Sequence, residues 1–193
     1  MKPTTAADQH KAHAPRSLTF ALVTVSDTRT LETDESGAAI ERALRAAGHS
    51  VTGRVVVKDE AAGIRATVER FAGQRDVHAV ITSGGTGLAP RDVTLEALRP
   101  WFQKELPGFG EALRAFSLAT VGTSAIMTRA TCATIPGTGG AKLLFGLPGS
   151  RDACEVAVTR LILPEAAHMV ALANPAMRDD HADGNAHGGT ASH

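Results

Sequence analysis

The run 18–25 (Leu-Thr-Phe-Ala-Leu-Val-Thr-Val) constrains this chain most, because it offers almost no polar face. A strand of that kind has no side to turn to water, so it belongs inside a sheet covered on both faces. The segments that follow supply the cover. From about Ser36 the apolar positions Ile40, Ala43, Leu44 and Ala47 recur at helical spacing, and Gly48 is the expected C-terminal stop. Residues 51–57 read as a second strand, 61–71 as a helix with Ile64, Val68 and Phe71 on its inner stripe, and 77–81 as a third strand. Helices are expected at 93–98 and 110–118, the latter with Leu113 and Phe116 inward. A strand at 142–147 should then stop at Pro148-Gly149. Ser150 is the expected N-cap of a helix reaching Leu163, which Pro164 should kink or restart towards Leu172. This alternation implies a parallel α/β sheet with helices on both faces.

Composition narrows the class. A chain of 193 residues suits one domain. Twenty basic and twenty acidic residues cancel, so no net field recruits nucleic acid or an anionic membrane. Six Phe, one Trp and no Tyr leave few platforms on which bases could stack. Cys132 and Cys154 sit in no CxxC spacing and read as small buried thiols in a reducing compartment. No apolar run approaches the length of a membrane span, and the first sixteen residues carry no apolar signal core. A cytoplasmic protein is the resulting expectation. Residues 1–16 lack periodicity and read as a flexible arm. Residues 174–193, with His181, His187 and His193, read as a disordered tail, because the histidines share no helical or strand face. The folded domain should span 17–173.

In open α/β sheets, ligands bind at the carboxyl ends of the strands. Four loops fall there: 26–29, 58–60, 83–92 and 148–151, all rich in polar residues, Gly or Pro. The third holds the densest signal, Thr82-Ser83-Gly84-Gly85-Thr86-Gly87 followed by Arg91-Asp92-Val93-Thr94. Its glycines clear space for a ligand or another backbone, and its N–H groups could cradle an anion. It is no Walker A loop, lacking Gly-Lys-Ser/Thr, and the dinucleotide frame from Gly85 meets Pro90 where a glycine is required. A plain tight turn is the alternative. Asp92 and Asp59 each precede an expected helix, where a carboxylate suits the macrodipole. Both also sit at strand ends around one expected cleft, where the pair could hold Mg2+ against a polyphosphate. Arg29, Arg91, Arg129 and Arg151 lie in or beside these loops or others containing Gly, Ser or Thr, and surface charge is their default role. Arg129 is the preferred phosphate ligand, because a guanidinium matches phosphate bidentately. The stretch Gly137-Thr138-Gly139-Gly140-Ala141-Lys142 has the wrong register for a phosphate loop and reads as a surface turn. His49, His78 and His168 have no acidic partner nearby in sequence and read as structural, and no covalent nucleophile stands out.

Taken together, Val23 to Arg29, Val57-Lys58-Asp59-Glu60, the TSGGTG and RDVT segments, Pro107-Gly108-Phe109-Gly110-Glu111 and Leu147-Pro148-Gly149-Ser150 resemble the MoaB/MogA family of molybdenum cofactor biosynthesis. The resemblance covers about residues 18–172, and Gly122 to Ile126 with the Leu-Pro-Gly-Ser ending favours the MoaB branch. It implies a three-layer α/β/α fold with a mostly parallel sheet, assembled as a homotrimer or homohexamer. It also implies adenylylation of molybdopterin, with ATP as co-substrate and Mg2+ as cofactor. A non-catalytic molybdopterin-binding protein on the same fold is the alternative. Carried over by motif, Asp59 and Asp92 correspond to the family's essential aspartates and are the implied Mg2+ ligands. The implied substrate and nucleotide contacts are Ser26, Asp27, Arg29, Thr82 to Gly87, Arg129, Pro148, Gly149 and Ser150. Three departures stand out: Thr128 where the family usually has Ser, Leu95 where it commonly has Pro, and a local insertion at 136–140.

Overall fold

The computed structural model describes Pro15 and residues 17–175. Among the described residues, β1 (Thr19–Val25), β2 (Ser50–Val57), β3 (Ala79–Ser83), β4 (Lys104–Glu105), β5 (Thr131–Ile135) and β6 (Lys142–Leu147) form one sheet in the order β2-β1-β3-β6-β5-β4. β1 lies between β2 and β3 and pairs with both in parallel. β3 pairs in parallel with β6.

Side chains alternate across β1 and so fill two cores. Leu18, Phe20 and Leu22 pack with Ile40 and Leu44 of α1 (Glu35–Ala46), Phe109 and Leu113 of α4 (Pro107–Val121), and the C-terminal helices. Ala21, Val23 and Val25 pack on the opposite face with Ile64, Val68 and Phe71 of α2 (Ala61–Ala72) and with Ala97 and Leu98 of α3 (Thr94–Leu98). The α/β/α layering expected from the strand at 18–25 follows directly from this two-sided burial. Gly48 ends α1's connection at φ 85, a conformation that favours glycine. His49 and His78 are structural: their Nδ1 atoms accept the backbone N–H of Leu18 and Thr19.

Several expectations need correction. The sheet is mixed, because β5 (Thr131–Ile135) runs antiparallel to both β6 and β4 (Lys104–Glu105). Those two strands escaped the pattern: β4 has two residues, and β5 is a short run whose neighbours are set by a hairpin. The turn at 136–141 is that hairpin's connection. β3 begins two residues later than expected, so Thr82 and Ser83 end the strand instead of opening the loop. Phe116 is 46% exposed while Leu113 is fully buried, so only the latter faces the sheet. Pro164 restarts its helix without a break, through a π-helical stretch (Val158–Ile162) between α5 (Arg151–Ala157) and α6 (Leu163–Ala173). A proline lacks the N–H that the preceding turn requires, and the wider turn absorbs the mismatch. The fused segment Arg151–Ala173 is thereby long and apolar enough to cross a membrane. Cys154, Val158, Ile162, Ala166 and Val170 nonetheless sit in the core, as in the core helix of a globular domain. Ser150 occupies the N-cap position of α5, but its side chain makes no capping bond. The expected arm and tail, with their histidines, lie outside the described residues except for Pro15, Asn174 and Pro175. Asn174 Nδ2 donates to the Ala141 carbonyl, so packing extends just past residue 173.

Candidate functional site

The turn after β3 works only with glycine. Gly84 and Gly85 have φ of 95 and 61. A Cβ on Gly84 would overlap the Val25 carbonyl, and one on Gly85 would overlap both Asp59 Oδ1 and Thr94 Oγ1. The missing side chains let the ends of β1, β2 and β3 meet. Gly84 N–H donates to Leu147 O (3.1 Å), which joins β6 to the same point. Thr94 closes the loop from below, its hydroxyl donating to Gly84 O (2.9 Å) and its N–H to Gly85 O (2.9 Å). Among the described residues, the N–H groups of Gly85, Thr86 and Gly87 donate to no protein acceptor. They are free to face an anion.

The two singled-out carboxylates flank this loop. Asp59 Oδ1 is buried against Gly85 without a hydrogen-bond partner. Burial, then repulsion from Asp27 and Asp92, holds the Asp59 carboxyl above its usual 3.8, and Arg91 offsets part of this. Asp92 Oδ2 accepts the Ala89 N–H (2.9 Å) and lies 2.6 Å from where a Cβ on Gly87 would sit. Neither carboxylate caps a helix: α2 and α3 have Glu60 and Val93 at their N-cap positions, without side-chain caps. Asp27 forms an ion pair with Arg91.

Two cavities meet at Gly85 and Gly149. One, of about 280 Å³, is lined by Ser26, Arg29, Asp59, Ser83 and Gly84 among others. The other, of about 310 Å³, is lined by Thr86, Gly87, Asp92, Thr128, Arg129 and Pro148 among others. All four strand-end loops thus converge. Arg129 donates to Gly87 O (3.0 Å) and pairs with Glu96. Arg29 donates to Ser36 Oγ (3.1 Å), which in turn donates to Gly149 O (3.0 Å). Ser26 Oγ accepts the N–H groups of Thr28 and Arg29. Thr82 is fully buried and donates to Phe145 O, supporting the loop from beneath instead of lining a cavity. Ser150 is exposed beside Gly149.

Sequence reasoning missed three supporting residues. Asp34 caps α1 through Gly37 N–H, accepts the Thr24 hydroxyl (2.8 Å) and pairs with Arg54 (3.1 Å), all while buried. An Asp just before a helical pattern is an N-cap signal that could have found it. Nothing local marks Ser36 or Glu96, whose partners are distant in sequence.

Among the described residues no group of three or more His, Cys, Asp or Glu could hold a metal. Asp59 and Asp92 line different cavities that meet at Gly85 and Gly149, and either could supply the one or two protein carboxylates that Mg2+ uses, with water and phosphate oxygens completing its shell. The unpartnered Asp59 oxygen is the feature such an ion would satisfy.

Free loop N–H groups, two flanking carboxylates and arginines gather at the carboxyl edge of this α/β domain's sheet. The chain belongs to the MoaB/MogA family: residues 21–168 match the model described as the probable molybdopterin binding domain. Molybdenum cofactor biosynthesis protein B of Halalkalibacterium halodurans is 44% identical over 164 residues, 84% of this chain and 94% of that protein. The Bacillus subtilis protein of the same name is 44% identical over 163 residues, again 84% and 94%. A crystal structure of a molybdenum cofactor biosynthesis protein B superposes with a TM-score of 0.78 at 42% identity, covering 84% of this chain and 99% of the other. The tungsten cofactor synthesizing protein MoaB from Pyrococcus furiosus gives 0.71 at 32% identity, covering 83% and 99%.

Proposed function

We propose that this chain acts in molybdenum cofactor biosynthesis by adenylylating molybdopterin with ATP, giving adenylyl-molybdopterin and pyrophosphate. Family membership supports the pathway. The observation that carries the chemistry is the placement of Asp59 and Asp92 on either side of the unpaired Gly85–Gly87 N–H groups.

The terminal phosphate of molybdopterin attacks the α-phosphorus of ATP, and the bond to the bridging oxygen breaks as pyrophosphate leaves. A phosphate monoester has a second pKa of about 6, so the attacking group is largely dianionic near neutral pH. No general base or protein nucleophile is needed. The chain's task is to align two anions that repel each other. The loop N–H groups cradle one phosphate. Arg129, steadied by Gly87 O and Glu96, and Arg29, steadied by Ser36, each line one of the two adjoining cavities. Asp59 and Asp92 would hold Mg2+, whose charge neutralises phosphate oxygens when bound.

The exposed apolar side chains Phe116, Val121, Ile126 and Met127 on α4 and the following turn support assembly into a homotrimer or homohexamer. The two buried, unpaired thiols suit the reducing cytoplasm. The test incubates purified protein with molybdopterin, ATP and Mg2+ and assays adenylyl-molybdopterin by mass spectrometry. Product is expected. Pterin binding without product would overturn adenylylation and leave a binding protein.

A further inference from the structure

At the opposite end of the sheet, where β3 and β6 begin, a separate cavity of about 210 Å³ is lined by Arg75, His78, Gly139, Ala141, Lys142 and Asn174 among others. The length of β3, five residues at about 3.3 Å each, separates it from the Gly84–Gly87 loop. Lys142 is only 3% exposed. Its ammonium donates to the Arg75 carbonyl (3.2 Å) and makes no ion pair among the described residues. An ammonium carries three donors, and a nearly buried one with a single neutral acceptor lacks its counter-charge. Burial lowers the Lys142 pKa; Asp76 partly offsets this, and Arg75 adds to it. Asp76 is exposed and forms no ion pair with Lys142.

Arg75, His78 and the turn add further donors, beside apolar Val77 and an Asn174 whose Nδ2 is spent on Ala141 O and Val170 O. The Arg75 stem lies along Gly139, and its guanidinium has no ion-pair partner among the described residues. His78 accepts the Thr19 N–H at Nδ1, so its neutral ring carries the proton on Nε2. Gly139 and Gly140 have φ of 83 and 133, and Thr138 N–H is pinned to Ala72 O (3.0 Å). The N–H groups of Gly139, Gly140 and Ala141 donate to no acceptor among the described residues. Ammonium, guanidinium, imidazole N–H and loop N–H groups together suit an anion with several acceptor oxygens and more than one charge. A carboxylate offers only two oxygens.

We propose that this cavity binds a phosphate group, either free or carried by a small metabolite, at a site distinct from the carboxyl-edge cleft. The turn at 137–141 thus becomes a phosphate-binding element despite matching no nucleotide-loop register.

The experiment follows backbone amides of the full chain by 15N-resolved NMR during titration with inorganic phosphate, glycerol 3-phosphate or acetate, against sodium chloride at matched ionic strength. Saturable shifts at Gly139, Gly140 and Ala141 with inorganic phosphate support a free-anion site, and with glycerol 3-phosphate alone a phosphomonoester site. Arg75→Gln and Lys142→Met should each weaken this binding about tenfold or more, the loss of one charge-assisted contact, while shifts at Gly85–Gly87 remain. Arg75 is exposed, so its variant keeps the test sound if Lys142→Met fails to fold. Shifts that merely follow ionic strength, that saturate equally with acetate, or that persist in Arg75→Gln overturn the proposal.

Discussion

Replacing Gly85 with alanine should damage both stability and turnover, and the structure sets the size of the first effect. At φ 61 a residue with a Cβ carries a left-handed penalty of about 1–2 kcal/mol. The new methyl would also displace Thr94 Oγ1 and Asp59 Oδ1. Losing the buried Thr94–Gly84 hydrogen bond adds about 1 kcal/mol. The sum, about 2–3 kcal/mol, corresponds to a fall in melting temperature of roughly 4–12 °C for a domain of this size. Gly87 separates the two contributions, since its φ is not in the left-handed region and its Cβ would meet only the Asp92 carboxylate. Gly87→Ala should therefore cost under about 1 kcal/mol, yet still lower turnover by displacing Asp92. Gly63, in the first turn of α2 with open space around it, supplies the control: its alanine variant should gain about 0.5 kcal/mol. Thermal melts and the adenylyl-molybdopterin assay on the three variants check these outcomes. A Gly85→Ala protein that melts and turns over like the parent would refute the argument that this glycine is held open by Asp59 and Thr94.

Asp92→Asn should lower turnover severely while pterin binding, measured by equilibrium dialysis, largely survives; unchanged turnover removes Asp92 from the mechanism. Asp59 is held above 3.8 in the fold, so the unfolded chain releases that proton first as pH rises. Its ionised form therefore erodes stability from the unfolded value upward, through the raised folded value. In metal-free buffer, Asp59→Asn should be as stable as the parent well below pH 3.8 and more stable near neutrality, as read from paired melts, while losing activity. Burial pushes Cys132 and Cys154 up to about 12, so alkylation near pH 8 should be negligible until the chain unfolds, as mass spectrometry would show. Arg54→Ala should cost about 3 kcal/mol in denaturant unfolding, because it leaves the Asp34 carboxylate buried without its cation.

The elements that could be read from residue order are those whose signal is local. β1 declares itself by the run 18–25, apolar at six of eight positions, α1 and α2 by helical spacing, and β6 by its stop at Pro148-Gly149. From these the layered α/β fold and the edge carrying the four loops both follow. Phe116 shows the limit of such reading: an apolar residue on a helix is equally compatible with the core and with an exposed face awaiting another surface.

What tertiary structure decided depends on residues far apart in the chain. The reversal of β5 is settled by pairing with β4 and β6, not by its own five residues. Ser36 reaches Gly149, Arg129 reaches Gly87, and Asp34 collects Thr24 and Arg54 from two strands. Periodicity and turn chemistry act over a few residues, whereas these contacts exist only once the sheet has brought its strand ends together. The sequence by itself determined the layers and the edge of the sheet where chemistry belongs. Folding decided which oxygen there is left without a partner, because burial and hydrogen-bond satisfaction are properties of the packed chain.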